Sequence, residues 1–163
     1  MFPDRILKLA ASVLAEARAK NLKIVTAESC TGGLLAGALT EIAGSSDVFE
    51  RGFVTYSNDA KRECIGVIDD TLDKFGAVSA STAIAMAEGA IANSKADLSV
   101  AVTGIAGPGG GSPEKPVGLV HFAAARRGGA TDTEVRRFGD IGRHKIRMES
   151  VEVALPLLRR LLA

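Results

Sequence analysis

Three side chains that can act as nucleophiles, Ser29, Cys30 and Thr31, stand in a row between Glu28 and the pair Gly32-Gly33. The apolar run Leu22-Lys23-Ile24-Val25 precedes them and reads as a buried strand over 22–26, and Leu34-Leu35-Ala36-Gly37-Ala38-Leu39 follows with the spacing of a packed helix over about 32–43. The first N–H groups of a helix have no intrahelical acceptor, so a strand turning into a helix here offers anion donors beside the three side chains. Gly32 and Gly33 would let a ligand approach the backbone closely. Such a turn suits acyl transfer or phosphate binding.

A second cluster, Tyr56-Ser57-Asn58-Asp59-Ala60-Lys61, follows another strand-like run. Asn58 and Lys61 are three apart and share one helical face. A lysine in the first turn of a helix is disfavoured by the macrodipole and loses solvation in a cleft, so it titrates lower and can act as a base. The competing picture is a solvated surface lysine. Ser29 or Thr31 can cap the following helix, Cys30 is a rival nucleophile, and Glu28 can orient Lys61 or pair with a surface cation.

The loop 103–113 is rich in glycine, but it is neither a P-loop nor a dinucleotide fingerprint: no Lys-Ser/Thr follows, Ser112 replaces the third glycine, and a strand comes next. It reads as a ligand-covering loop or a plain connection. Lys115, Arg143 and Arg147 are candidates for gripping a phosphate. His121 and His144 belong to no metal-binding or G-x-S-x-G pattern, so no metal site is expected.

The elements that must position these residues alternate. We expect helices over 4–20, 58–65, 70–75, 81–94 and 143–162, with Asp4, Ser57 or Asn58, and Ser79 or Ser81 as caps. Further strands are expected in the second half of 48–56 and over 98–102, 118–124 and 133–138. Their order predicts an α/β protein, a three-layer α/β/α arrangement with a mixed, mostly parallel sheet of about five strands, and one domain over 1–163. Strands ending at 28, 56 and 103 would bring all three motifs to one sheet edge, where open α/β sheets bind ligands.

Composition narrows the partners. Of 163 residues, 47% are hydrophobic and 24% charged, and the net charge is +1, so no electrostatic footprint for nucleic acid or a membrane surface is present. With no Trp and one Tyr there is little to stack bases on. Two cysteines, 30 and 64, make no disulfide framework, and no apolar run is long enough to span a bilayer, so a cytoplasmic protein is expected.

Four motifs together, Glu28-Ser29-Cys30-Thr31-Gly32-Gly33, Gly52-Phe53-Val54-Thr55-Tyr56-Ser57-Asn58-Asp59-Ala60-Lys61, Thr103-Gly104-Ile105-Ala106-Gly107-Pro108 and Lys115-Pro116-Val117-Gly118, resemble the CinA C-terminal domain family. The match covers nearly the whole chain and looks like the family's stand-alone form. The family's Gly-Asp-Arg run is interrupted here, as Gly139-Asp140-Ile141-Gly142-Arg143. The resemblance implies an anticodon-binding-domain-like fold, usually a homodimer, and hydrolysis of nicotinamide mononucleotide to nicotinate mononucleotide and ammonia without a cofactor. It also implies Ser29 as nucleophile and Lys61 as its base, with Tyr56 completing the catalytic set. Glu28, Cys30, Thr31, Gly32, Gly33, Asn58, Thr103, Gly104, Ala106, Gly107 and Arg143 are then the expected substrate-binding residues. The alternative is a catalytically silent nucleotide- or partner-binding module. Phosphoryl transfer is weakly supported, because no Mg²⁺-ligand set accompanies the glycine-rich loop.

Overall fold

The structure is a computed structural model that describes residues 1–163. Its elements, in chain order, are α1 (Asp4–Ala19), β1 (Ile24–Glu28), α2 (Leu34–Thr40), β2 (Phe49–Val54), α3 (Asn58–Ile65), α4 (Asp69–Phe75), α5 (Ala80–Ala92), β3 (Leu98–Gly104), β4 (Leu119–Arg126), β5 (Thr131–Arg137) and α6 (Arg143–Arg160). The five strands form one sheet in the order β2-β1-β3-β4-β5. β1 runs parallel to both β2 and β3, while β4 is antiparallel to β3 and to β5. Four strands therefore point one way and β4 the other, the mixed and mostly parallel sheet expected from the sequence.

Alternation along the strands builds two cores. Leu98, Val100 and Val102 of β3 and Val120, Phe122 and Ala124 of β4 face α1, α2 and α6 with a large aliphatic core. The intervening Ala101, Ala123 and Ala125 face α5 through a smaller, alanine-rich core with Met86 and Ile65. Small side chains on that face let α5 lie close to the strands, which brings its amino-terminal end beside the sheet edge. Helices thus cover both faces, giving three layers.

Local signals set several boundaries as expected. The Ser57 hydroxyl accepts the Ala60 N–H at the start of α3, and Gly66 ends that helix with φ of 68°. Ser79 accepts from Thr82 at the start of α5. Pro3, rather than Asp4, is the N-cap of α1. Pro156 lies inside α6, and the helix continues past it.

One boundary shift bears on the site. β1 starts and ends two residues later than the run 22–26 suggests, because Ile24 to Glu28 pair in register with Leu98 to Val102. The helix begins at Leu34, not Gly32, since Gly32 and Gly33 both have positive φ, 55° and 101°, and it ends at Thr40 rather than 43. Ser29, Cys30 and Thr31 occupy a separate turn between strand and helix.

Candidate active site

The carboxyl ends of β2, β1 and β3 are adjacent, and the three motifs meet there. A cleft of about 270 Å³ opens between them, lined by Ser29 and Cys30 after β1, Tyr56 and Lys61 after β2, and Thr103, Gly104, Ala106 and Gly107 at and after β3. Arg143, the first residue of α6, closes one side, while Ala77 and Val78 ahead of α5 form the opposite wall.

Lys61 is among the largest fully buried side chains, 1% exposed. Its Nζ lies 3.0 Å from Ser29 Oγ and donates to the carbonyl oxygens of Thr55 at 2.8 Å and Tyr56 at 3.5 Å. All three partners are neutral, so burial dominates and holds the amine down at about 8, against an ordinary 10.5. The expected direction is right, and the loss of solvation expected for a lysine in a cleft is its main cause. α3 delivers the lysine: its Ser57 cap fixes the first turn, and Lys61 N–H bonds to Ser57 O. A neutral amine that donates to two carbonyls has its lone pair left to accept the Ser29 hydroxyl proton.

Cys30 is 5% exposed, and burial pushes its thiol up to about 12. It stays protonated near neutral pH and lacks the thiolate that nucleophilic attack requires. Ser29 carries no capping duty. Its own N–H is taken by Val102 O, and its hydroxyl faces Lys61.

The helix-start expectation needs correcting through Glu28. This side chain neither orients Lys61 nor meets a surface cation. It is fully buried, and its carboxylate accepts the N–H groups of Leu35 at 2.8 Å and Ala36 at 3.0 Å. The first N–H groups within α2 are therefore occupied from within the chain, Leu34 by Thr31 O and the next two by Glu28. Thr31 does not cap either: it is fully buried and its hydroxyl has no partner. Gly32 N–H bonds back to Ser29 O at 3.0 Å, whereas the N–H groups of Cys30 and Thr31 donate to no backbone acceptor. The Gly33 N–H has no acceptor either, but Cys30 and Thr31 carry the two free donors next to Ser29 in the chain.

Glu28, Thr31, Gly32, Gly33 and the exposed Asn58 thus lie outside the cleft lining, while Ser29, Cys30, Tyr56, Lys61, Thr103, Gly104, Ala106, Gly107 and Arg143 are brought together. Of the three phosphate-gripping candidates, only Arg143 reaches the cleft. Its guanidinium donates to Gly107 O at 2.7 Å and Tyr56 Oη at 2.9 Å, so it bridges the mouth. Lys115 donates instead to Phe75 O at 2.7 Å, and Arg147 to the carbonyls of Cys30 and Thr31. Thr103 Oγ1 donates to Ala77 O at 2.7 Å and ties the floor of the cleft to the opposite wall. Gly107 has φ of 76°, and a Cβ there would meet Val117 Cγ1 at 2.7 Å, so a side chain would strain the loop whose carbonyl Arg143 holds.

Sequence reasoning missed Ala77, Val78, Ile105, Gly109 and Gly110 of the lining. The first two carry no chemical signature. The last three sit inside the glycine-rich loop that had been singled out as a whole. No group of three or more His, Cys, Asp or Glu side chains is arranged to hold a metal ion, and no helix is long and apolar enough to cross a membrane.

Comparison with known proteins places this arrangement. The model of the CinA C-terminal domain matches residues 6–162. Nicotinamide-nucleotide amidohydrolase PncC of Escherichia coli strain K12 is 46% identical over 159 residues, covering 97% of this chain and 95% of the relative. A putative competence-damage inducible protein of Caldicellulosiruptor bescii is 49% identical over 141 residues, 86% of this chain but 34% of that protein. The chain thus spans about a third of the length of such longer relatives. The crystal structure of competence/damage inducible protein CihA from Agrobacterium tumefaciens superposes with a TM-score of 0.98 at 56% identity, covering 100% of this chain and 99% of that one. With the family model matched almost end to end, and with its motifs converging on one cleft, the chain belongs to the CinA C-terminal domain family.

Proposed function

We propose that this chain is an amidohydrolase that converts nicotinamide mononucleotide to nicotinate mononucleotide and ammonia, with Ser29 as nucleophile and Lys61 as general base. The observation that carries this reading is the 3.0 Å contact between Lys61 Nζ and Ser29 Oγ in a buried site, with the amine held near neutrality at about 8. The PncC relative, similar over nearly its full length, carries the name of that activity.

Neutral Lys61 takes the Ser29 hydroxyl proton as Oγ bonds to the carboxamide carbon, and the carbonyl electron pair moves onto oxygen. The unclaimed N–H groups of Cys30 and Thr31 are the donors for that oxyanion. As the tetrahedral species collapses, the C–N bond breaks and Lys61 returns its proton to the leaving nitrogen, releasing ammonia. A water molecule, deprotonated by Lys61, then attacks the acyl-serine ester, and Ser29 leaves with the proton. The product is a carboxylate.

The ring with its carboxamide belongs at the floor, beside Ser29. The phosphate then stays at the mouth, where Arg143 gives up its internal partners to hold it. Tyr56, bonded to Arg143 and 58% exposed, borders the same opening. A homodimer belongs to the same reading, and sedimentation velocity checks it.

The direct test is ammonia release from nicotinamide mononucleotide by the purified protein, with and without Ser29→Ala. Release that survives Ser29→Ala and disappears in Cys30→Ala would move the nucleophile one residue along. Calorimetric binding without ammonia over hours would instead favour a silent nucleotide-binding module.

A further inference from the structure

Arg147 reaches the main chain of the turn that carries Ser29, whereas Lys61 reaches its side chain, and the mechanism above gives Arg147 no part. It stands one helical turn after Arg143 on α6, half-buried, and does not line the cleft. Its Nε donates to Cys30 O at 3.0 Å and its Nη2 to Thr31 O at 3.2 Å. One planar fork thus holds two successive carbonyl oxygens, which a lysine cannot do with the same fixed geometry. The fit is close: a Cβ on Gly32 would lie 3.3 Å from Arg147 Nη2, and Gly32 itself has φ of 55°.

Holding these carbonyls has a consequence set by peptide planarity. The oxygen and the N–H of one trans peptide point in opposite directions, so fixing Cys30 O fixes the Thr31 N–H on the side away from Arg147. Fixing Thr31 O does the same for the Gly32 N–H, which is bonded to Ser29 O at 3.0 Å. The Thr31 N–H is left oriented but unbonded. Glu28 holds α2 beyond the turn through Leu35 and Ala36, and Val102 O holds the Ser29 N–H before it. Thr31 O also accepts the Leu34 N–H at 3.0 Å, whereas Cys30 O has Arg147 as its one donor, so the Cys30–Thr31 peptide is the one that Arg147 alone holds.

Resting on the amide-hydrolysis reading above, we infer that Arg147 is a positioning residue that preorganises the Thr31 N–H as an oxyanion donor by holding the Cys30 carbonyl of the same peptide, and is not a phosphate ligand. Donors aimed in advance at the developing charge contribute only in the transition state. Arg147→Ala should therefore lower kcat by about 100-fold, the typical cost of a small misplacement at a reacting centre, and leave KM nearly unchanged. Arg147→Lys, keeping a charge but not the fork, should fall between. Millimolar guanidinium should restore part of the activity to Arg147→Ala and none to Arg147→Lys, whose side chain still fills the site.

A second readout does not depend on turnover. Pyridine-3-boronic acid offers a boron atom that becomes tetrahedral when Ser29 adds to it, visible by boron NMR, and that adduct needs the same donors. It should form on the wild type and bind at least about tenfold more weakly to Arg147→Ala. Circular dichroism and melting curves identify the variants that are folded, and Arg147→Gln, which keeps one donor, replaces Arg147→Ala if the latter unfolds. A folded variant with unchanged kcat and unchanged boronate affinity would overturn the inference, as would a raised KM at unchanged kcat, the mark of a phosphate grip. A wild type that forms the adduct yet releases no ammonia would sink the amidohydrolase reading alone and leave Arg147 to be judged on the adduct. A wild type that does neither would sink both.

Discussion

The two ends of the parallel strands are built from similar side chains and handle them in opposite ways. At the amino-terminal end, Asp97 accepts the Lys23 N–H at 2.8 Å, and Arg127 donates to the carbonyls of Ile91, Ser94 and Ala96. Arg18 pairs with Asp47 on the exposed surface. Each charge there meets an opposite charge or main-chain groups and stays in contact with water. At the carboxyl-terminal end, an amine is fully buried among neutral acceptors, the hydroxyls of Thr31 and Thr55 are buried without partners, and two N–H groups beside Ser29 are unclaimed. A buried polar group that lacks a partner costs free energy, so such groups are rare away from sites that use them. The well-satisfied end supports the fold, while the other end keeps the Lys61 amine and the free N–H groups beside Ser29 for the proposed substrate.

Substitutions at the two ends should separate those roles. Ser29→Ala should cut ammonia release by about 10³-fold or more and leave melting nearly unchanged, whereas Cys30→Ala should retain most activity. Equal losses in both variants would erase the distinction between a serine aimed at a base and a thiol held protonated.

Lys61→Met should cost about 10²–10⁴ in kcat. In the wild type, kcat/KM should rise with pH through about 8 as the amine loses its proton. Stability follows the same proton. Because the folded value lies near 8 and the ordinary one at 10.5, the unfolded chain binds more protons between them, so wild-type stability climbs across that window. Below about 8 the whole cost of burying the charge is present, on the order of 3 kcal/mol. Urea unfolding at several pH values should show Lys61→Met at least as stable as the wild type below pH 8, with that advantage shrinking towards 10.5. A pH-independent difference would mean that the amine is not the desolvated group the burial implies.

Glu28→Ala should destabilise by about 1–3 kcal/mol, since it leaves two N–H groups of α2 without their acceptors. Activity should fall too, because the same turn carries Ser29. Arg127→Ala, the counterpart clamp at the far end, should cost about 1 kcal/mol in denaturant unfolding with kcat unchanged. Arg18→Ala, at an exposed ion pair, should alter neither activity nor the melting curve measurably. If Arg127→Ala slowed turnover in the folded protein, the division between the two ends would fail.

The amino-acid sequence by itself determined the α/β alternation, the Ser57 cap and Gly66 stop of α3, and the meeting of three motif-bearing strand ends. It also singled out Ser29 and Lys61, because chemically distinctive side chains and capping signals are local and visible within a few residues. The tertiary structure decided the rest. Pairing with β3 drew Glu28 into the strand, from which its carboxylate serves α2 rather than a ligand. Packing of α3 and the strand ends around Lys61 supplied the burial that lowers its titration, a quantity no spacing encodes. Arg147 was visible as a cation, but its partners are main-chain carbonyls, which every residue carries alike. For that physical reason a side chain that works through the backbone leaves no mark on the sequence of what it touches.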